Sequence, residues 1–279
     1  MKKLLIMLGC IVGSHFCHAQ TEIYAQGCFS FEKGSSSYTF NDSMNVRTAP
    51  HLKATIADTL TIGTEIFIDE RLDSILVAGG KAAPWYFVHY TKNNTSHKGY
   101  IWGGNLCLTP MRRAETKFLF GLKGLVKRKA KDSNEIFDVM VAEMKALRND
   151  SIIAKVSWDV GSTESLASNT AKVLPGGGLK NVKYLLLTSL SGEACGVAAI
   201  TQYIAWTGEK LLLLPQLMSV GDAGVYFHDE VFVFPADKNG KPGKIYKKTE
   251  EEETDEKEKT TSKKYTVTFL WDGEKAIKQ

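Results

Sequence analysis

The chain lacks a second long apolar run. After the first twenty residues no hydrophobic run is longer than four residues, and runs such as Tyr184–Leu187 and Leu211–Leu214 have the length of strands. A membrane helix needs about 20 apolar residues, so no transmembrane span is expected. The chain also lacks a strong charge of either sign: 35 Lys and Arg stand against 31 Asp and Glu, a formal +4. That balance argues against a general nucleic-acid binder. Familiar catalytic spacings are missing too. Leu174-Pro175-Gly176-Gly177-Gly178 is glycine-rich but has no Gly-Lys-Ser/Thr ending to cradle a phosphate. There is no Gly-x-Ser-x-Gly elbow and no His-Glu-x-x-His stretch. His51, His89 and His97 are isolated, without metal-ligand spacing, so no cofactor is expected.

What is there begins with an export signal. Lys2-Lys3, the apolar stretch Leu4–Val12 and the small-x-small Cys17-His18-Ala19 read as a signal peptide over residues 1–19. This predicts a periplasmic, cell-surface or secreted protein. Lipidation at Cys10 is the weaker alternative, because the apolar region before it is very short. Removing the leader takes Lys2 and Lys3 with it and leaves +2, and three of the five cysteines remain: Cys28, Cys107 and Cys195. Residues 20–40 form a lead-in segment.

Strand patterning follows. Asn45-Val46-Arg47 is a short strand with Val46 inward, ended by Ala49-Pro50 because proline removes a ladder donor. Leu60, Ile62, Ile66 and Ile68 alternate with mostly polar residues, as in strands with one buried face. Gly63 punctuates them. Trp85, Phe87 and His89 alternate with Tyr86, Val88 and Tyr90, which predicts one core set and one wet set without saying which is which. Gly99 and Gly103-Gly104 bracket a last short strand, Tyr100-Ile101-Trp102.

The order N-V-R, T-L-T-I-G-T, I-F-I, W-Y-F-V-H-Y and K-G-Y-I-W-G-G-N-L over residues 41–108 resembles the bacterial SH3-like (SH3b) domain. The long stretch Asp69–Pro84 departs from that pattern. The resemblance implies a small β-barrel that binds a cell-wall glycan or peptide. Its aromatics Trp85, Tyr86, Tyr90, Tyr100 and Trp102 are the candidate ligand-binding residues. The competing reading is that they fill the barrel core, since a domain this small buries most of its large apolar residues. That reading is stronger for Trp85 and Trp102; Tyr86, Tyr90 and Tyr100 are the better surface candidates. Cys28 and Cys107 flank the barrel, whose ends should lie close together, which makes them a disulfide candidate with Cys195 free.

Residues 109–116 read as a linker and 117–279 as a second, β-rich domain. The basic run Arg112–Lys131 reads as linker and loop. Two hairpins repeat: Thr201–Leu211 and Lys264–Ala276 each lead to Trp, then Thr-Gly or Asp-Gly, then Glu-Lys and a return strand. A third hairpin is expected from Phe137 to Val160 around Asn149-Asp150, with a helix over Ile136–Arg148 as its rival. Three such units would form a sandwich or a curled meander. Residues 249–264, dense in Glu and Lys, are expected as a disordered loop. Asp237-Lys238-Asn239-Gly240 reads as a β-turn in preference to a calcium loop.

The sharpest enzymatic signal is A-C-G-V-A-A at Ala194–Ala199, similar to the opening of papain-like cysteine peptidases. That similarity implies Cys195 as nucleophile and His228 as base. The glutamine expected upstream is absent, since Ser189, Leu190 and Ser191 stand there. The expectation is therefore a mostly β, exported, non-enzymatic envelope protein that binds a wall glycan or peptide. The alternatives are a cysteine peptidase acting on wall peptides and a structural component docking an envelope protein.

Overall fold

The computed structural model describes residues 27–130, 133–160, 166–192, 194–222, 224–255 and 257–279. The leader and Cys10 lie outside them. The described chain is almost entirely antiparallel strand, with two single 3-10 turns at Gly27–Phe29 and Gly103–Asn105. No helix among the described residues is long and apolar enough to cross a membrane.

The first sheet holds β1 (Ser36–Tyr38), β2 (Ser43–Arg47), β3 (Ile56–Thr61), β4 (Glu65–Ala78), β5 (Lys81–Lys92) and β6 (Thr95–Trp102), in the order β1-β4-β5-β6-β2-β3. Residues 38–40 curl it. Thr39 N–H donates to Thr64 O at 3.0 Å on one side, while Phe40 N–H donates to Asn105 O at 2.9 Å and Cys107 N–H to Tyr38 O at 2.8 Å on the other. The curl encloses Met44, Val46, Leu60, Ile66, Ile68, Tyr86, Val88, Tyr90, Ile101 and Leu106. Val46, Leu60, Ile66 and Ile68 point inward as their alternation predicts. The Asp69–Pro84 stretch extends the β4–β5 hairpin, which turns at Gly79-Gly80 and accepts Leu125 N–H on Gly79 O at 2.9 Å.

The second sheet is β7 (Thr109–Arg113), β8 (Thr116–Lys129), β9 (Ile136–Arg148) and β10 (Ser151–Asp159), in the order β10-β9-β8-β7. The expected linker at 109–116 is thus the edge strand β7, its turn and the first residue of β8. Pro110 is tolerated there because an edge strand leaves one row of N–H groups without a ladder partner. Of the basic run, Arg112, Arg113 and the residues from Lys117 to Lys129 lie on β7 and β8, not in a loop, and Lys131 lies outside the described residues; Arg128 makes two bonds to Asp159, at 2.8 and 2.9 Å. The β9–β10 hairpin forms and the rival helix does not. Asn149 and Asp150 both take positive φ, 50° and 56°, the backbone that a two-residue hairpin turn needs. Ala142, Met144 and Ala146 face Trp158, Val156 and Ala154 across it. Gly121 on β8 has to be glycine, since a Cβ there would sit 2.8 Å from the Phe40 ring.

The third sheet holds β11 (Leu166–Pro175), β12 (Tyr184–Gly192), β13 (Ala199–Trp206), β14 (Leu211–Leu213), β15 (Leu217–Asp222), β16 (Tyr226–Val233), β17 (Lys244–Thr254), β18 (Thr260–Trp271) and β19 (Ala276–Lys278). They run in that order, with β14 paired only to β13. The sheet folds over a core that joins Leu185 and Ala205 to Phe234, Ile245, Phe269 and Trp271. Both repeated hairpins form, and each tip has four residues between its last paired positions, Trp206–Leu211 and Trp271–Ala276. Residues 249–264 are not a disordered loop. Thr249–Thr254 and Thr260–Lys264 are the paired ends of β17 and β18, with Glu250 opposite Lys264 and Glu251 opposite Lys263. Opposite charges directly across a ladder stabilise the pairing, and β-branched Thr249, Thr254, Thr260 and Thr261 favour extended backbone.

All three sheets meet in one core. Trp85 and Trp102 from the first pack with Phe118, Phe120 and Met144 from the second and with Leu186, Ile204 and Trp206 from the third. Two buried lysines staple the seam. Lys81 donates to Gly104 O at 2.6 Å and Leu122 O at 3.3 Å; Lys145 donates to Phe40 O at 2.9 Å. Burial, then the charge of Lys145, lowers the Lys81 pKa from 10.5 to about 8. The folded state therefore sheds this proton before the unfolded chain does. Stability should rise with pH from about 8 towards 10.5, by on the order of 3 kcal/mol when complete. Urea midpoints between pH 7 and 9.5 should climb in the wild type, and Lys81→Met should flatten that climb.

Candidate functional site

The aromatic strands of the first sheet separate into two faces. Tyr86, Val88 and Tyr90 point into the curl and are fully buried. Tyr86 donates its hydroxyl to Phe29 O at 2.6 Å and accepts Phe31 N–H at 3.0 Å. Tyr90 donates to Asp58 Oδ2 at 2.9 Å. Burial pushes both phenol pKa values up, and for Tyr90 the Asp58 carboxylate adds to the rise. Tyr86 and Tyr90 are therefore core residues, which corrects their expected place on the surface. Their hydroxyls find partners inside, so each ring can be buried without an orphaned polar atom.

The opposite face runs from core to surface. Cross-strand register places Trp85 beside Trp102, then Phe87 beside Tyr100, then His89 beside Lys98. The first pair is buried under the other two sheets, with Trp102 Nε1–H donating to Leu76 O at 3.1 Å and Ala83 O at 3.0 Å. These two tryptophans pack as core. Phe87 and Tyr100 are half-buried, with ring centroids 5.0 Å apart. Beyond them Phe67, exposed to 37 %, stacks on His89 at 4.9 Å and 9°. Arg47 on β2 lies opposite Tyr100 and is held by its bond to Ala54 O at 2.7 Å. Of the five aromatics singled out from sequence, Tyr100 alone reaches this surface. Phe67, Phe87 and His89 were missed. The alternation that predicts two faces contains them, but it does not say which face is wet.

Asp69 organises the polar end. It sits at a register shift in β4, between Ile68 and Glu70. Its Oδ1 lies 2.7 Å from His89 Nδ1, and its Oδ2 is 3.7 Å from Lys98 Nζ. A carboxylate can only accept here, so Nδ1 donates to it and the ring is fixed in orientation. The surface thus offers stacked rings, one oriented imidazole and two cations. That set can hold a planar or ring-shaped ligand and orient it.

The peptidase pair is arranged differently from its motif. Cys195 lies in an exposed turn, and the residues that a papain-like enzyme would place on a helix form the strand β13. His228 is buried on β16, where Nδ1 is 3.1 Å from Glu251 Oε1 and Nε2 is 3.5 Å from Glu230 Oε1. Lys247 and Tyr265 complete that network through Glu230 and Glu251. No bond joins Cys195 to His228 among the described residues. Asp237 forms the expected turn: its carboxylate accepts Phe234 N–H at 2.7 Å and its carbonyl accepts Gly240 N–H. No group of three or more His, Cys, Asp or Glu side chains converges as metal ligands would among the described residues.

The expected Cys28–Cys107 disulfide does not form. Both are buried free thiols in separate cores, Cys28 donating to Ser168 O and Cys107 to Phe120 O. The chain between them does fold back, but the lead-in places Cys28 against β11, away from Cys107. Burial pushes the Cys28 thiol up to about 12 and raises Cys107 further. A disulfide-exchange reagent at pH 8 should therefore label one thiol, Cys195, in the native chain from residue 20. All three should react in denaturant. Native labelling of two or more would contradict this burial.

No protein-family model matches the chain, and no curated protein and no solved structure matches it.

Proposed function

We propose that this is an exported, non-enzymatic binding protein of the cell envelope. Its first sheet is an SH3-like barrel that takes a cell-wall glycan or peptide on its outward face. The observation that carries the reading is the row Phe67, His89, Phe87 and Tyr100, held on three neighbouring strands and left uncovered where the buried tryptophan pair ends. Half-exposed aromatics of this kind give a large contact area at low entropy cost, because each has only two side-chain torsions to fix. Strands set their positions more precisely than loops would. The lead-in supports the barrel from within, through Phe29 and Phe31 on the Tyr86 hydroxyl.

The test is co-sedimentation of the chain from residue 20 with purified peptidoglycan sacculi at moderate salt. The wild type should pellet with the sacculi, and Phe67→Ala with Tyr100→Ala should leave the protein in the supernatant. Thermal unfolding of this double variant should stay close to wild type, because both rings are partly exposed. Undiminished binding by the variant would remove the face from the reading. Absence of wild-type binding would overturn the wall ligand and turn the search to a protein partner.

A further inference from the structure

The two repeated hairpin tips grip one segment between them. Trp206-Thr207-Gly208-Glu209-Lys210 and Trp271-Asp272-Gly273-Glu274-Lys275 occupy equivalent positions between β13 and β14 and between β18 and β19. Each is capped in the same way. Thr207 Oγ1 accepts the N–H groups of Glu209 and Lys210, and Asp272 Oδ1 accepts those of Glu274 and Lys275. Both dock on residues 180–183. Lys183 N–H donates to Trp206 O at 2.8 Å, and Trp271 Nε1–H donates to Lys180 O at 2.8 Å. Lys183 lies across Gly208, its Nζ 2.5 Å from where a Cβ would stand, and Asn181 lies across Gly273.

The two glutamates differ in one respect. Glu274 holds the ammonium of Lys210, from the other tip, at 2.7 Å. Its equivalent, Glu209, makes no ion pair among the described residues. It instead lines a cleft of about 620 Å³ with Arg148, Asn181, Val182, Lys183 and Thr207. Arg148 comes from the end of β9, so the cleft lies where the second and third sheets meet. Neither Arg148 nor Lys183 has an acidic partner among the described residues. Two cations and one carboxylate, all unpaired, thus share a cleft within the size range of small-molecule sites.

From this we infer that the cleft binds a short zwitterionic peptide by its two charged termini. The carboxylate of the ligand lies between Arg148 and Lys183, and its ammonium lies on Glu209 as Lys210 lies on Glu274. The planar guanidinium suits a carboxylate because it presents parallel N–H donors. Asn181 supplies an amide and Val182 an apolar wall. This site is separate from the aromatic face of the first sheet and does not depend on that reading.

The experiment is calorimetric titration of the chain from residue 20, at low ionic strength, with trialanine, N-acetyl-trialanine and trialanine amide. Trialanine should bind, and blocking either end should weaken binding about tenfold or more, the loss of one charge-assisted contact. Arg148→Gln should shrink the difference between trialanine and its amide, and Arg148→Gln with Lys183→Gln should abolish it. Glu209→Gln should abolish the difference between trialanine and its N-acetyl form. These side chains are exposed, so each variant should unfold at the wild-type temperature and pellet with sacculi as the wild type does. No binding of trialanine, equal binding of all three peptides, or unchanged discrimination in the variants would overturn the inference.

Discussion

The Trp85–Trp102 pair decides how the first sheet can be used. Both rings stand on the outward face, and that end of the face is closed by side chains from the other two sheets. Burying a side chain of this size stabilises by roughly 1.5–3 kcal/mol, which commits the face to packing wherever the cover reaches. The cover stops one pair further along the strands. Phe87, Tyr100, Phe67 and His89 therefore remain as a partly wet continuation of a buried row. A core and a candidate binding surface share one set of strand registers, so the surface inherits the rigidity of the core.

The seam beneath that pair is polar as well as apolar. Lys81 crosses from the first sheet to a carbonyl of the second, and Lys145 crosses from the second to a carbonyl of the first. Lys145 is also 3.4 Å from Glu143, which is itself nearly buried, and lies over the Phe40 ring. Buried charges of this sort contribute little net stability, because desolvation offsets most of the attraction. They do fix alignment: sliding one sheet past the other would strand an ammonium group without its carbonyls.

Much of this architecture was legible in the sequence where period and turn chemistry agree. Leu60, Ile66 and Ile68 gave the inward face of their strands, while Ile62 lies past the end of β3 and packs against Phe40, Leu119 and Leu147. Asn149-Asp150 gave a hairpin, and the Trp-x-Gly-Glu-Lys repeat gave two equivalent tips. The readings that failed depend on partners remote in sequence. Tyr86 looked amphipathic and is core because residues 29 and 31 return to satisfy its hydroxyl. Residues 249–264 looked too charged to order, yet β18 sets a lysine opposite Glu250 and another opposite Glu251. Residues 109–116 looked like a joint because proline and arginines interrupt the pattern, and both are compatible with an edge strand.

The sequence by itself determined that this protein is built of antiparallel strands, and where most of them turn, because alternation and turn residues are local properties of the chain. It also determined that β5 has two distinct faces. Only the tertiary structure decided which face is core, which cysteines stay apart, and which charges remain unpaired. Those outcomes depend on which strand lies next to which, and on how far one sheet covers another. Both are set by contacts between residues up to about 140 positions apart, such as Asn169 with Cys28, which no local pattern encodes.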